Sequence, residues 1–191
     1  MIQINKIPNF DASKLAKIKA VFALSNPGSN FKYTRHNVGA LFVEVIAEKN
    51  NQRLIAEKNF SFFESNIGSK NIIFSRTDTF MNSSGIGLKE LMKKFNLKTE
   101  NILIVHDELE KDFPKIGFGS GSHKGHNGMR SVFEQTGEAT FYRLKFGIGR
   151  PENKNDVPNF VLEKFSKDQV DALTELFQEV LTSLETFFQE N

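Results

Sequence analysis

The sequence has no cysteine and no tryptophan, and only two tyrosines among its 191 residues. Without cysteine the chain cannot form a disulfide scaffold, a zinc site built on thiolates or an iron–sulfur cluster, and it has no thiol nucleophile. It also lacks any run of about 18 apolar residues, so it predicts no transmembrane helix and no membrane partner. Residues 1–20 lack the apolar segment of a secretory signal, and we expect none there.

Charge is unevenly distributed along the chain, although the net charge is only +2. Residues 1–150 contain 22 Lys and Arg against 14 Asp and Glu, whereas residues 151–191 contain 3 against 9. A basic body with an acidic C-terminal segment fits an anionic partner that binds to the body. It also fits a solvated surface with an acidic final helix, and charge alone favours this simpler interpretation.

Strand and helix patterns alternate along the chain. Apolar runs and two-residue alternation predict strands at 20–24, 60–67, 71–76, 101–106 and 142–149. Helical spacing predicts helices at 38–48, 86–95 and 127–135, and a long final helix that begins after the capping box Ser166-Lys-Asp-Gln169. A short helix capped by Asp11 or Ser13 is expected to end at Lys19, and residues 117–125, with four glycines, predict a loop. The alternation predicts an α/β domain with a mostly parallel or mixed sheet.

Polar side chains follow several of these strands, at the ends where sites of α/β folds gather. His36 follows the first strand and could act as a general base, because the pKa of a free imidazole is near neutral. Asp107 ends a strongly apolar strand and could orient that base and stabilise its protonated form. No serine lies in a G-x-S-x-G turn, so the pair predicts direct activation of water rather than a covalent nucleophile.

Three asparagines, Asn26, Asn82 and Asn127, lie in the same kind of position. Their amides are suited to holding a peptide or an oxyanion. Each of these residues alone, like His36 and Asp107, fits a turn or helix-cap role as well as a functional one. When these five residues are considered together at strand ends, the functional and structural interpretations carry equal weight.

Metal and phosphate motifs give weaker signals. The four histidines and Asp107 show neither H-x-x-x-H nor H-E-x-x-H spacing, so we expect no metal ion and no other cofactor. The glycine-rich segment is not a P-loop, because no G-K-[ST] follows it. It could still offer backbone N–H groups to a phosphate where the next helix begins.

Six motifs occur together and in a fixed order. They are Asn26-Pro-Gly28, Thr34-Arg-His-Asn-Val-Gly39, Thr79-Phe-Met-Asn-Ser-Ser-Gly85, His106-Asp-Glu-Leu109, Gly125-His-Asn-Gly128 and Arg143-Leu-Lys-Phe-Gly-Ile-Gly-Arg-Pro151. In these motifs the chain resembles the bacterial-type peptidyl-tRNA hydrolase family, from about residue 20 to the last helix. The resemblance implies a single α/β domain over residues 20–191, a mixed twisted β-sheet surrounded by helices, preceded by a polar N-terminal extension over residues 1–19.

The resemblance also implies an activity. Proteins of this family hydrolyse, without a cofactor, the ester bond that joins a peptide to the 3′ end of tRNA, and they act as monomers. The partner implied is therefore peptidyl-tRNA, a nucleic acid. The N-terminal extension suits a eukaryotic member, so we expect a cytoplasmic or mitochondrial protein.

Residue roles carry over position by position. His36 matches the catalytic base and Asp107 its carboxylate partner. The positions that match substrate-binding residues are Asn26, Phe31, Met81, Asn82, His126 and Asn127. Lys145 matches a basic residue that holds the tRNA phosphate. Phe118 stands where a second such residue is common, and Lys124 is the candidate to replace it.

Two other functions remain open at this point. A relative of the family that binds RNA, or acts as a splicing-factor partner, would keep the basic face and lose hydrolysis. A hydrolase of small N-acyl esters would need neither Lys145 nor the basic body. The presence of His36, Asp107 and all three asparagines favours the tRNA ester hydrolase.

Overall fold

The computed structural model of the protein describes residues 10–190, so the first nine residues of the expected extension, and Asn191, lie outside it. The strands are β1 (Ala20–Ala23), β2 (Ile55–Ala56), β3 (Phe60–Ile67), β4 (Lys70–Thr77), β5 (Ile102–Glu108), β6 (Ile116–Gly119) and β7 (Tyr142–Gly147). The α-helices are α1 (Ala12–Leu15), α2 (Val38–Lys49), α3 (Ser84–Lys94), α4 (Asn127–Thr136), α5 (Val157–Phe160) and α6 (Lys167–Glu190). Short 3₁₀ turns occupy Ser29–Phe31, Arg35–Asn37, Met81–Ser83, Thr99–Asn101 and Lys154–Asp156.

The strands form one mixed sheet in the order β2-β3-β4-β1-β5-β7-β6. Parallel pairing joins β1 to β4, β1 to β5 and β5 to β7, whereas the outer pairs β2-β3, β3-β4 and β6-β7 are antiparallel. The expected α/β architecture with a mixed sheet is confirmed. Because the central strands run in one direction, the segments that follow β1, β4 and β5 meet at one edge of the sheet.

Apolar helices cover both faces of the sheet. In β1, Val21 and Ala23 belong to a core shared with α2 and α6, whereas Phe22 belongs to a second core shared with α3 and α4. This alternation follows from the two-residue period of a strand, which sends successive side chains to opposite faces. The central strand is therefore buried on both sides, as its wholly apolar sequence predicts.

The final helix shows the amphipathic packing that its sequence predicts. Its apolar stripe is buried at Leu173, Phe177, Val180, Leu181, Leu184, Phe187 and Phe188. The capping box is present, because Ser166 N–H donates to Gln169 Oε1 at 3.0 Å and Gln169 N–H donates to Ser166 Oγ at 3.3 Å. None of the helices between residues 10 and 190 combines the length and the apolar character needed to cross a bilayer.

Two predicted segments differ from the observed elements, and β2 and α5 were not predicted. The segment predicted as a loop over residues 117–125 begins with strand β6, whose Gly117 and Gly119 hide the strand pattern and which exists by pairing with β7. Helix α1 begins after Asp11, which accepts from Ser13 N–H and Lys14 N–H as a cap should, but it ends at Leu15 rather than at Lys19. The chain leaves the helix there because Lys19 N–H donates to the carbonyl of Asn101, next to the sheet.

The described part of the expected extension packs against the domain. Leu15 and Ile18 are buried in the core on the α2 and α6 side. The backbone N–H of Asp11 donates to the hydroxyl of Tyr142 at 2.7 Å, and the ring of Phe10 lies edge-on to that of Phe118 at 6.0 Å. The boundary at residue 20 stays a prediction.

Candidate active site

His36 lies in the 3₁₀ turn that leads into α2, and backbone contacts hold it there. Its N–H donates to the carbonyl of Val161 at 2.8 Å. The preceding residue, Arg35, places its guanidinium 4.6 Å from the ring centroid of Phe160, which ties the turn to the segment before α6. Residues distant in sequence therefore fix the position of the His36 backbone.

A glycine lets the start of α2 lie directly on β5. A Cβ atom added at Gly39 would lie 2.7 Å from the carbonyl oxygen of Val105, closer than a side chain can approach. Only glycine allows this contact without a shift of the helix. The contact brings His36 beside Asp107, two residues further along β5.

Asp107 is the centre of the polar cluster, and its side chain accepts two hydrogen bonds. Its Oδ1 atom lies 2.8 Å from Nδ1 of His36 and 2.9 Å from Nε2 of His126. Asp107 is only 2 % exposed. A buried carboxylate needs such donors, because burial without them would favour its neutral form.

The electrostatics of the pair agree with this geometry. Burial raises the pKa of Asp107, but His36 and His126 lower it by more, so the pKa lies well below its ordinary value and the group is ionised. Burial lowers the pKa of His36, but the charge of Asp107 and the hydrogen bond to it raise the pKa by more. With its Nδ1 proton directed at Asp107, neutral His36 has an unprotonated Nε2 that can accept a proton.

His126 is tied into the protein through both ring nitrogens. Its Nδ1 accepts from the backbone N–H groups of Gly128 at 3.1 Å and Met129 at 3.3 Å, which caps α4. The ring proton therefore lies on Nε2, which donates to Asp107. The sequence had assigned His126 to substrate binding, and in the structure both nitrogens have partners within the protein.

A third imidazole, His106, packs behind His126. The ring centroids lie 4.8 Å apart in an edge-on arrangement, and Nδ1 of His106 lies 2.5 Å from the backbone oxygen of Asp107. Burial and the neighbouring His126 lower the pKa of His106 well below its ordinary value, against the opposing charge of Asp107. This ring is buried and packs against the ring of His126.

A hydrogen bond joins Asn26 to Met81. Asn26 Oδ1 accepts from the backbone N–H of Met81 at 2.8 Å, so the amide oxygen already has a partner within the protein. Asn37 holds Asn26 from the other side, with its amide donating to the carbonyl of Asn26 and its Oδ1 accepting the N–H of Asn26. Asn37 had no assigned role from sequence; its position directly after His36 was the only signal.

Asn82 lies exposed in a 3₁₀ turn, and Asn127 lies at the exposed start of a neighbouring helix. Asn82 belongs to the turn Met81–Ser83, which packs against α4, and Asn127 is the first residue of α4. Both are exposed, and neither side chain makes a hydrogen bond with residues 10–190. Their amides are free to bind a ligand.

Phe31 and Phe80 form an aromatic pair beside Met81. Phe31 lies perpendicular to Phe80, with ring centroids 6.3 Å apart. Phe80 is 59 % exposed, which is unusual for so large an apolar side chain, and it precedes Met81 directly. Sequence reasoning proposed Phe31 and Met81 but missed Phe80, although it stands inside the Thr79–Gly85 motif.

The two candidate phosphate-binding lysines lie near each other, at β7 and the glycine-rich loop. Lys145 lies opposite His106 in the parallel register and forms an ion pair with Glu108, Nζ to Oε2 3.7 Å. Burial lowers the pKa of Lys145, and the charges of Arg143 and Lys124 lower it further. Together these effects outweigh Glu108, which raises the pKa. Lys124 is exposed and forms no ion pair within the described chain.

Phe118 faces away from these lysines. It pairs with Leu144 in the β6-β7 ladder, so it shares the face of Leu144 rather than that of Lys145. Its ring stacks on Tyr142 at 5.7 Å. The side chain at this position is part of the core and of the contact with the N-terminal segment.

Three possible ligand atoms of the cluster are close enough to surround one metal ion. The nitrogens of His36 and His126 and a carboxylate oxygen of Asp107 all lie within 4.8 Å of one another. The two N···O distances are those of hydrogen bonds, and each bond places a proton between its atoms. We therefore interpret the cluster as a proton-handling site.

Comparisons with known proteins give one consistent result. The sequence model described as peptidyl-tRNA hydrolase matches residues 20–191. Peptidyl-tRNA hydrolase of Marinobacter nauticus is 40 % identical over 173 residues, covering 87 % of each chain. That of Aliarcobacter butzleri is 34 % identical over 166 residues, covering 86 % of this chain and 89 % of the other.

Solved structures agree with the sequence comparison. A crystal structure of peptidyl-tRNA hydrolase from Acinetobacter baumannii superposes with a TM-score of 0.82 at 31 % identity, covering 91 % of this chain and 90 % of that one. Fold, sequence and order of motifs therefore lead to one assignment: the chain belongs to the peptidyl-tRNA hydrolase family.

Proposed function

We propose that the protein hydrolyses the ester bond between the peptide and the 3′ end of tRNA in peptidyl-tRNA. Family membership over residues 20–191 and relatives of nearly equal length support this function. The observation that carries it is the hydrogen bond between His36 Nδ1 and Asp107. That bond leaves Nε2 of His36, a residue that is 8 % exposed, as the acceptor for a proton from water.

The reaction follows from this tautomer. His36 Nε2 takes a proton from a water molecule whose oxygen attacks the ester carbonyl, and Asp107 stabilises the imidazolium that forms. The tetrahedral oxyanion then collapses, and the bond to the 3′ oxygen of the ribose breaks. His36 returns its proton to that oxygen, so the products are a free peptide carboxyl group and a tRNA hydroxyl group.

The free amides and the pair of aromatic rings would supply the substrate contacts. The side chains of Asn82 and Asn127 have no hydrogen-bond partner within the described chain, and we expect their amides to donate to the ester carbonyl or the peptide backbone. The Nδ2 group of Asn26 completes this set, since only its Oδ1 is bound to Met81 N–H. Phe31, with its ring against Phe80, offers an apolar surface for a side chain of the peptide.

The tRNA backbone is expected to meet the two lysines. Lys145 is paired with Glu108, the residue after Asp107, and a phosphate would replace or share that ion pair. Lys124 adds an exposed positive charge beside it, on the loop that leads to His126. We propose that the protein acts as a monomer, which light scattering would test.

The decisive experiment compares two substrates. Purified protein should release N-acetyl-amino acid from N-acetyl-aminoacyl-tRNA and leave unacylated aminoacyl-tRNA intact. His36→Ala should keep the fold, shown by an unchanged circular dichroism spectrum, and lower kcat by about 10²–10⁴-fold. Binding of tRNA without turnover would favour an RNA-binding relative, and equal turnover of small N-acyl esters would favour a general esterase.

A further inference from the structure

Both hydrogen bonds to the Asp107 side chain use one of its two oxygens. His36 Nδ1 and His126 Nε2 lie 2.8 Å and 2.9 Å from the same atom, Oδ1. The two imidazoles also lie close together, with ring centroids 4.9 Å apart. A second donor on an acceptor atom draws electron density away from the first, so the two bonds compete.

His126 cannot turn away from this position without loss of the helix cap. Its Nδ1 accepts the N–H groups of Gly128 and Met129, the orphan donors at the start of α4. Its ring is also packed between those of His36 and His106. The start of a helix therefore aims the Nε2 proton at the carboxylate.

We propose that His126 is a positioning residue that limits the base strength of His36 by donating a second hydrogen bond to the carboxylate oxygen that His36 uses. This inference rests on the proposed role of His36 as the base. A carboxylate with both donors holds the imidazolium of His36 less strongly than a carboxylate with one. The arrangement keeps His36 unprotonated, and so ready to accept a proton, at a lower pH than Asp107 alone would allow.

The other charged groups around the cluster are few. His106 lies behind His126 on β5, and Arg143 lies two residues before Lys145 on the next strand. Glu108 follows Asp107 and is paired with Lys145. Burial lowers the pKa of His36 and Asp107 raises it, and Asp107 is therefore the group through which a change at His126 reaches His36.

Two substitutions separate the two nitrogens of His126. In His126→Asn, the amide oxygen takes the place of Nδ1 and caps α4, but no donor reaches Asp107. In His126→Gln, the amide nitrogen takes the place of Nε2 and donates to Asp107, but the cap is lost. His126→Ser introduces another short capping residue, so it repeats the first test with a hydroxyl group in place of the amide.

The measurement is an NMR titration of the His36 ring in the substrate-free protein, beside the pH profile of kcat/KM. In His126→Asn and His126→Ser, the midpoint for His36 should move up by about one pH unit, the order expected for one hydrogen bond to a charged group. In His126→Gln the midpoint should stay at the wild-type value, although thermal stability falls with loss of the cap.

The outcomes are distinct. An unmoved midpoint in His126→Asn and His126→Ser, or an equal shift in His126→Gln, would overturn the proposal. A midpoint that moves by NMR while the acid limb of kcat/KM stays in place would uphold the tuning and refute His36 as the base. Movement of both together supports the two roles.

Discussion

Replacing Asp107 with asparagine tests the centre of the proposed mechanism. The charges of Asp107 and of protonated His36 are about 4 Å apart, and at an effective dielectric constant of about 20 such a pair gains about 4 kcal/mol. That energy is present in the transition state, where His36 is protonated, and absent from the ground state, where it is neutral. Asp107→Asn should therefore lower kcat by about 10³-fold, while KM changes little.

The pH profile gives a second, independent signature of the same change. In the wild type the charge of Asp107 raises the pKa of His36 by more than burial lowers it. Without that charge only burial remains, so the pKa of His36 should fall and the acid limb of kcat/KM should move to lower pH. The variant should be slower at every pH and yet lose activity at a lower pH than the wild type.

Stability should respond in a defined pH window. A raised pKa of His36 stabilises the fold below about pH 6.5, the unfolded value, and a lowered pKa of Asp107 stabilises it above about pH 3.9. The pair therefore contributes most between these values, where both groups are charged. Asp107→Asn should lower the free energy of unfolding more at pH 5 than at pH 8, in urea titrations.

Glu108→Gln is the matched control, because it removes a carboxylate one residue away that pairs with Lys145 instead of His36. It should leave kcat on a short N-acyl-aminoacyl nucleotide fragment and the acid limb near wild type. An acid limb that moves equally in the two variants, or that does not move in Asp107→Asn, would refute the coupling of Asp107 to His36.

Three further predictions concern the substrate and the scaffold. Asn127→Ala and Asn82→Ala test the two free amides. A variant that removes an oxyanion contact should lower kcat by about 10²–10³-fold, and one that removes a peptide contact should raise only KM. Steady-state kinetics that match wild type for both variants would place both residues outside the site. The double variant Lys145→Ala/Lys124→Ala should raise KM for the tRNA ester but not for a short N-acyl-aminoacyl nucleotide fragment. Each lysine should contribute at most about 1 to the slope of log K against log salt, and an unchanged slope would argue against phosphate contact. Gly39→Ala should destabilise the fold by about 1–3 kcal/mol and lower kcat, because the added methyl group meets a strand carbonyl; a melting temperature equal to wild type would contradict this.

Much of the fold was predictable because the elements have strong local signals. The helices α2, α3, α4 and α6 carry apolar residues at helical spacing, and their predicted ranges lie within three residues of the observed ends. Strand β6 was missed because two of its four residues are glycines, which have no side chain to show a pattern. Strand β2 has only two exposed residues and forms because β3 offers it an edge.

The candidate site, like the fold, was predictable only in part. The sequence alone determined which chemistry was available: a histidine and an aspartate without a nucleophile, three asparagine amides and a basic body. Motif order was enough to suggest the family, and the family is confirmed. Missing from that list were Asn37 and Phe80, whose roles consist of contacts that no spacing predicts.

Tertiary structure alone decided how these groups share their hydrogen bonds. His36 and Asp107 are 71 residues apart in the chain, and they meet because Gly39 lets α2 rest on β5. Which ring nitrogen carries a proton follows from the partner of the other nitrogen, and for His126 that partner is the start of a helix. Hydrogen bonds act over about 3 Å, so their pattern exists only after packing has brought the donors and acceptors together.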